Sequence, residues 1–355
     1  MSLLPYLHRV ADRQNLSCAD ALEAMHIVLS GGATAPQIAG FLVALRMKGE
    51  TVDELVGFAR ALRQMAEPVD PGLAGEPLLD TCGTGGDGLS TFNISTIVAF
   101  VVAGAGARVA KHGNRSISSQ CGSADLLEAM GVRIPMPPAE CARAIREIGI
   151  GFLFAPAIHT AAKHAQPVRV DLKMRTVFNL LGPLTNPAGA SAQLAGAPSA
   201  HFAELIAGAL AALGLERGFV VHGSDGLDEI TTTGPTLAFE IRHGEVARRT
   251  IAPDDFGVAI ALPEDLKGGD RERNLAIARE ILDGARGPRR DIVLVNAAAA
   301  LVAVGRAHDF PEGVAMAAAA IDSGAARGKA EALARFTQGE RVLEDTRTVE
   351  NPPNV

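Results

Sequence analysis

The chain has 355 residues, 48% of them apolar, and a net charge of −7, enough to bury a large core in two subdomains. A net acidic chain lacks the basic face that a nucleic-acid backbone demands, and with no Trp and one Tyr it has little to stack on bases. The longest apolar run, near residues 94–107, falls short of the ~20 residues of a membrane span, and no charged-then-apolar leader opens the sequence.

Residues 1–67 read as helix throughout. Ser17 is followed by Asp20, then Leu22, Met25 and Leu29 recur at helical spacing until Gly31-Gly32. Pro36 opens a second helix with Ile38, Phe41, Leu42 and Leu45 on one face and Gly49 as its stop. Thr51-x-x-Glu54 is a capping box starting a third, in which hydroxyl and carboxylate satisfy each other's orphan amides. The expectation is a three-helix module with a structural or dimerising role. Pro68 and Pro71-Gly72 mark a linker. Beyond it short apolar pieces alternate with helical patterns: Leu78-Leu79, Val109-Ala110, Phe152–Phe154, Leu194-Ala195 and Phe219–Val221 as strands, and residues near 94–103, 123–130, 138–148 and 201–213 as helices.

The fold class expected is therefore α/β: a small all-helical N-terminal domain plus a larger domain with a mainly parallel central sheet flanked by helices. Domain bounds are set at 1–72 for the helical part, with an inserted return segment near 160–187. Residues 73–159 and 188–345 form the α/β part and 346–355 a loose tail. After residue 260 Ala-rich helices follow, with Asn296–Val304 buried. Cys18, Cys82, Cys121 and Cys141 are scattered with no C-x-x-C pair, which predicts reduced thiols, no zinc site and a cytoplasmic location.

Between Gly88 and Ala124 there is no Asp or Glu, while Arg108, Lys111, His112 and Arg115 stand among Gly, Ser, Thr and Asn. A net acidic chain has cleared one stretch of negative charge, as a phosphate-rich ligand requires. Gly83-Thr84-Gly85-Gly86-Asp87-Gly88 fits the letters of a dinucleotide turn, but the region ~20 residues on holds Arg108 and Lys111 where a ribose-binding acid is needed. A turn without a ligand is the bland alternative, set against the entropic cost of so many glycines. Asn93 or Ser95 would cap the next helix, compatibly with an anion at its amides. Lys111–Arg115 follows a strand, and either a solvated basic loop or phosphate contacts would explain it. Asp228-Glu229 follows another strand; solvated acids or ligands for Mg²⁺ are the two readings. Arg169 and Lys173 fall on one helical face, either salt-bridged or functional. Loops after Leu79, Ala110 and Val221 would meet at the carboxyl edge of a parallel sheet.

G-T-G-G-D-G with N-I-S-T (83–96), K-H-G-N-R-S-I-S-S (111–119), G-S-A-D-L-L-E-A-M-G (122–131), F-N-L-L-G-P-L-T-N-P (178–187) and G-L-D-E (226–229) occur in this order. Together they resemble the anthranilate phosphoribosyltransferases over nearly the whole length. The resemblance implies a homodimer through the helical part and the second step of tryptophan biosynthesis. It implies a 5-phosphoribosyl-1-pyrophosphate site at Gly83, Gly86, Asp87, Thr91, Asn93, Ile94, Ser95, Thr96, Lys111, His112, Gly113, Asn114, Arg115, Ser118, Ser119 and Ser123. Anthranilate would meet Gly83, His112, Asn114, His159 and Arg169, and two Mg²⁺ ions would involve Ser95, Asp228 and Glu229. The chain departs from the family's His-Pro-Ala-Met with His159-Thr160-Ala161-Ala162, which loosens the expected anthranilate tunnel. A pyrimidine-nucleoside phosphorylase shares the expected architecture but would need no Mg²⁺-binding acid pair, and a non-enzymatic nucleic-acid-binding relative would conflict with the negative charge.

Overall fold

The computed structural model describes residues 2–115 and 120–339. The N-terminal part is four helices, α1 (Leu4–Ala11), α2 (Cys18–Leu29), α3 (Ala35–Lys48) and α4 (Val52–Met65). The expected module has three; α1 spans only 8 residues, too few for its period to register in a sequence. Both boxes form. Ser17 Oγ accepts from Asp20 N at 3.1 Å, and Thr51 N donates to Glu54 Oε2 at 2.9 Å. Glu54 also accepts from Leu16 N at 2.9 Å and pairs with Lys48 at 2.9 Å, both side chains being buried. A carboxylate so placed is tolerable only because its oxygens have donors, so it locks the starts of α2 and α4 to the end of α3.

The second part alternates. Strand β1 (Leu78–Asp80) leads through a long loop to α5 (Ile94–Gly104), then β2 (Arg108–Gly113), α6 (Ser123–Ala129), α7 (Pro138–Ile148) and β3 (Ile150–Phe154). The chain then leaves the sheet in short helices, α8 (Ala155–Ile158), α9 (Gln166–Leu172) and α10 (Phe178–Leu181). It returns as β4 (Ala192–Gly196), α11 (Ala200–Ala212) and β5 (Arg217–Gly223). A hairpin, β6 (Thr236–Arg242) and β7 (Glu245–Ile251), precedes α12 (Arg271–Leu282), α13 (Pro288–Ala303), α14 (Phe310–Asp322) and α15 (Ala325–Thr337).

The sheet order is β3-β2-β1-β4-β5-β6-β7, parallel through β5 and antiparallel beyond it. The hairpin lies outside the expected strands: its turn uses His243 and Gly244 at φ 49° and 85°, with His in place of the usual Asn or Asp. Along β7 every residue from Glu245 to Thr250 is exposed, so no alternation betrays a strand. Elsewhere period two is plain. Leu194, Phe219, Val221 and Ala238 face a core shared with α5, α7 and α13–α15. Ala195, Val220, Phe239 and Ile241 face the other way, into a core shared with α1–α4, α9, α10 and α11. The helical bundle thus covers one face of the sheet, with Ala165, Val168, Val177 and Phe178 of the 155–184 excursion buried in the same core.

Two expectations need correction. Helix α9 stops at Leu172 and Lys173 turns left-handed at φ 46°, so Lys173 does not continue the helical face of Arg169. Strands β2 and β5 run on to Gly113 and Gly223, placing Lys111, His112 and His222 inside strands rather than in the loops after them. Strand order reverses between β1 and β4, and the crevice at the carboxyl ends of such a pair is where open α/β sheets bind ligands.

Candidate active site

The glycine turn stands at that crevice. Thr84 N and Thr84 Oγ1 donate to Gly196 O, the last carbonyl of β4, at 3.0 and 3.3 Å. Gly85 and Gly86 have φ of 67° and 81°, a backbone that L side chains rarely adopt. Gly85 N donates to Asp228 Oδ2 at 2.7 Å across 143 residues of chain. The acid loop after β5 and the glycine turn after β1 are therefore in direct contact. Their approach depends on Gly196: a Cβ there would lie 1.4 Å from Asp228 O.

Half-buried Asp228 has its carboxyl pushed up to about 7 by burial and by the neighbouring Asp87. Glu229 is raised by burial and by Asp228, against the pull of Lys111 and the Ser95 backbone. Three carboxylates held together at such cost are an oxygen-donor set that a hard divalent cation would relieve. Lys111 Nζ, buried, reaches Thr81 O, Thr81 Oγ1 and Ser95 Oγ, each at 3.3 Å. It fixes one cation at the start of α5.

His112 follows. Its N donates to Asp80 Oδ1 at 3.1 Å, and its Nδ1 lies 3.1 Å from Gly182 O, which requires the proton on Nδ1. Nε2 is then a bare, buried lone pair with no hydrogen-bond partner among the described residues. Burial, with His159 adding to it, drives the ring down to about 3, and burial takes His159 down to about 4, so both are neutral near pH 7. The rings meet edge to face at 5.2 Å. Asp80, Cys82 and His112 bring ligand atoms within 4.8 Å of one another, but as a metal centre they fit poorly. Asn186 Nδ2 and His112 N occupy the Asp80 oxygens, and burial pushes the Cys82 thiol up so that it keeps its proton.

The remaining expected residues divide. Thr91 bridges to Lys267, and Ile94, Ser95 and Thr96 form the first turn of α5. Asn93 does not cap that helix with its side chain. Its Nδ2 donates to Cys121 O and its Oδ1 accepts from Asn274 Nδ2, both at 3.0 Å. Ser123 Oγ accepts from Asn114 N at 3.2 Å and donates to Asn114 O at 3.0 Å, stapling the end of β2 to α6 beyond Gly113. Arg115 is drawn away from the turn, its guanidinium held by Asp125 at 3.0 Å and Glu128 at 2.6 Å. Arg169 sits over the Phe178 ring at 5.0 Å with Gln166 Oε1 at 3.2 Å, and burial lowers it. Ser118 and Ser119 lie outside the described residues, as does the expected tail.

Two family models cover the chain: a glycosyl transferase family helical bundle domain at residues 4–66 and a glycosyl transferase family a/b domain at 75–327. The anthranilate phosphoribosyltransferase of Solibacter usitatus is 74% identical over 95% of this chain and 99% of its own. That of Moorella thermoacetica is 52% identical over 94% and 97%. The chain belongs to the anthranilate phosphoribosyltransferases. Among solved structures, the Thermus thermophilus enzyme matches at a TM-score of 0.88 and 43% identity, over 94% of this chain and 99% of that one. The Saccharomyces cerevisiae anthranilate phosphoribosyltransferase in complex with PRPP and Mg matches at 0.87 and 27%, over 95% and 98%. The same yeast enzyme has also been solved with 4-fluoroanthranilate.

Residues that sequence reasoning missed in this phosphoribosyltransferase hold the loops from behind. Asn274, buried on α12, donates to Asn93 and accepts from Gly269 N at 2.9 Å, while Gly268 N donates to Ser90 O at 2.9 Å. Asn296 on α13 clamps Ile230, donating to its carbonyl at 2.8 Å and accepting from its amide at 2.9 Å. A signal for Asn296 exists in the sequence: an Asn amid Ala and Val is a buried polar group needing partners.

Proposed function

We propose that the chain transfers the phosphoribosyl group of 5-phosphoribosyl-1-pyrophosphate to the amine of anthranilate, giving N-(5-phosphoribosyl)-anthranilate and pyrophosphate. The observation that carries this reading is the Gly85–Asp228 hydrogen bond, because it unites an anion-binding turn with acids suited to a metal. Donor phosphates sit on the amides of the glycine turn and the start of α5, with Lys111 as the fixed cation. Asp228 and Glu229, with Ser95, hold Mg²⁺, two ions per subunit. Bound there, magnesium neutralises charge on the departing pyrophosphate.

The C1–oxygen bond to pyrophosphate breaks as the amine nitrogen bonds to C1, and the secondary ammonium so formed gives its proton to water. An arylamine is already neutral, so a strong base is unnecessary, and His112 at about 3 is a poor one. Its bare Nε2 instead accepts a hydrogen bond from the amine and aims the nitrogen lone pair, with His159 beside it. Arg169 receives the anthranilate carboxylate. Arg169→Ala should raise the KM for anthranilate at least ~10-fold while moving that for the donor by less than about twofold; steady-state kinetics in both substrates checks this, and equal shifts would reject the role.

Metal binding requires Asp228 deprotonated. Since burial and Asp87 raise its carboxyl well above the usual carboxylate range, going from pH 8 to pH 6 should weaken Mg²⁺ binding, read by calorimetric titration. The sign for stability is the opposite. Between 3.8 and about 7 this carboxyl holds its proton only when folded, so metal-free protein loses stability as pH rises through that window. Mg²⁺ should restore it.

Residues 1–72 with the segment near 160–187 act as one unit and 73–159 with 188–345 as the donor-binding unit. The enzyme works as a homodimer in the cytoplasm, a reducing compartment in keeping with the free thiols of Cys18, Cys82 and Cys141. No helix among the described residues is long and apolar enough to cross a membrane. The deciding experiment follows anthranilate fluorescence with donor and Mg²⁺ present, then with each omitted. Consumption that needs both supports the proposal, and none with both present defeats it.

A further inference from the structure

Arg175 takes no part in the contacts described so far. It lies between α9 and α10, and its carbonyl accepts from Arg46 Nη1 on α3 at 2.6 Å. That bond ties this point of the return segment to the helical bundle. The side chain reaches into the other domain: a Cβ built on Gly86 would stand 2.3 Å from Arg175 Nη2 and 3.1 Å from Cζ. The guanidinium therefore lies against the backbone of the glycine turn, one residue from the amide that binds Asp228. The residue is exposed, and among the described residues no carboxylate forms an ion pair with it.

Holding a long side chain against glycine without an anion partner costs rotamer entropy, and a guanidinium is a planar fork matched to phosphate oxygens. Electrostatics asks for such a group here. Asp87, Asp228 and Glu229 crowd one another while Lys111 opposes them, a balance that resists a polyanionic donor at the mouth of the turn. Gly86 contributes twice, since its positive φ opens the turn's amides and its missing side chain leaves room for the fork.

We propose that Arg175 contacts the phosphate oxygens of the donor directly, a cation that the return segment lends to the glycine turn. This rests on the donor reading above. Donor binding then draws the helical and α/β domains together through one side chain, while the backbone anchor to Arg46 stays fixed. The source of the oxygens is either the pyrophosphate or the 5-phosphate, and separate probes tell them apart.

The test is calorimetric titration of full-length wild type, Arg175→Ala and Arg175→Lys with 5-phosphoribosyl-1-pyrophosphate, pyrophosphate and ribose 5-phosphate, each with Mg²⁺, alongside melting curves and KM for both substrates. Arg175→Ala should weaken donor binding about 10- to 100-fold, with the KM for anthranilate within about twofold and the melting temperature unchanged. Arg175→Lys should recover part of the loss, and whichever fragment is weakened identifies the phosphate touched. Donor binding within about twofold of wild type in Arg175→Ala overturns the proposal. So does a parallel rise in both KM values with a lower melting temperature, which marks a structural tie. If wild type itself binds no donor, the proposed function fails, a result distinct from equal binding by wild type and variant.

Discussion

Replacing Asp228 by Asn and Glu229 by Gln together should reduce magnesium-dependent turnover by more than about 10³-fold, while the metal-free protein becomes more stable. Both halves come from the same crowding. Asp228 is pushed up to about 7 by burial and Asp87, and Glu229 is raised by burial and Asp228, so the folded state works against their charge. Amides remove that repulsion, and the asparagine side chain would keep an oxygen for the Gly85 N–H that now reaches Asp228 Oδ2 at 2.7 Å. The glycine turn is thereby held in place. Melting curves without metal and initial rates across a magnesium series are the measurements. Activity unchanged in the double variant would refute the metal assignment; activity lost together with stability would show that the acids build the loop rather than serve the reaction.

The second large effect is expected at Gly196. Its added Cβ would lie 1.4 Å from Asp228 O and 2.4 Å from Asp228 C, and backbone atoms cannot swing aside as a side-chain tip can. Gly196 also supplies the carbonyl to which Thr84 is bonded. Gly196→Ala must therefore part β4 from the acid loop and shift the glycine turn at once. Overpacking of this kind costs ~1–3 kcal/mol or more, and displacing reacting groups by ~1 Å can cost about 100-fold in rate. Stability to denaturant and kcat should fall together in this variant, unlike the acid replacement. Near-wild-type kcat would mean that the two loops need not touch.

Much of this architecture is legible in the residues because local and global preferences agree. The Ser17 and Thr51 boxes start helices where the hydrophobic period begins, and the five parallel strands lie where short apolar pieces fall between helical patterns. What escapes has physical causes. Helix α1 is too short to show a period, and β7 is exposed on both faces from Glu245 to Thr250, its turn built on a left-handed His243. The acids and glycines of the site stand out because their clustering is odd in sequence. Their supports do not. Asn274 and Asn93 are 181 residues apart, and Asn296 meets Ile230 across 66. A lone Asn carries no sign of its distant partner until the chain has folded.

Strand β7 has a consequence beyond the fold. It is the last strand of the sheet, and it carries exposed charges on both faces, Glu245 and Arg249 on one and Arg248 on the other, with Arg249 paired to Glu240 of β6. A second copy aligned there would have to bring bulky charges alongside its own and strip them of water before any ladder could form. Strand-by-strand growth between molecules is disfavoured at that rim, and high concentrations of the enzyme should resist fibrous association from this side.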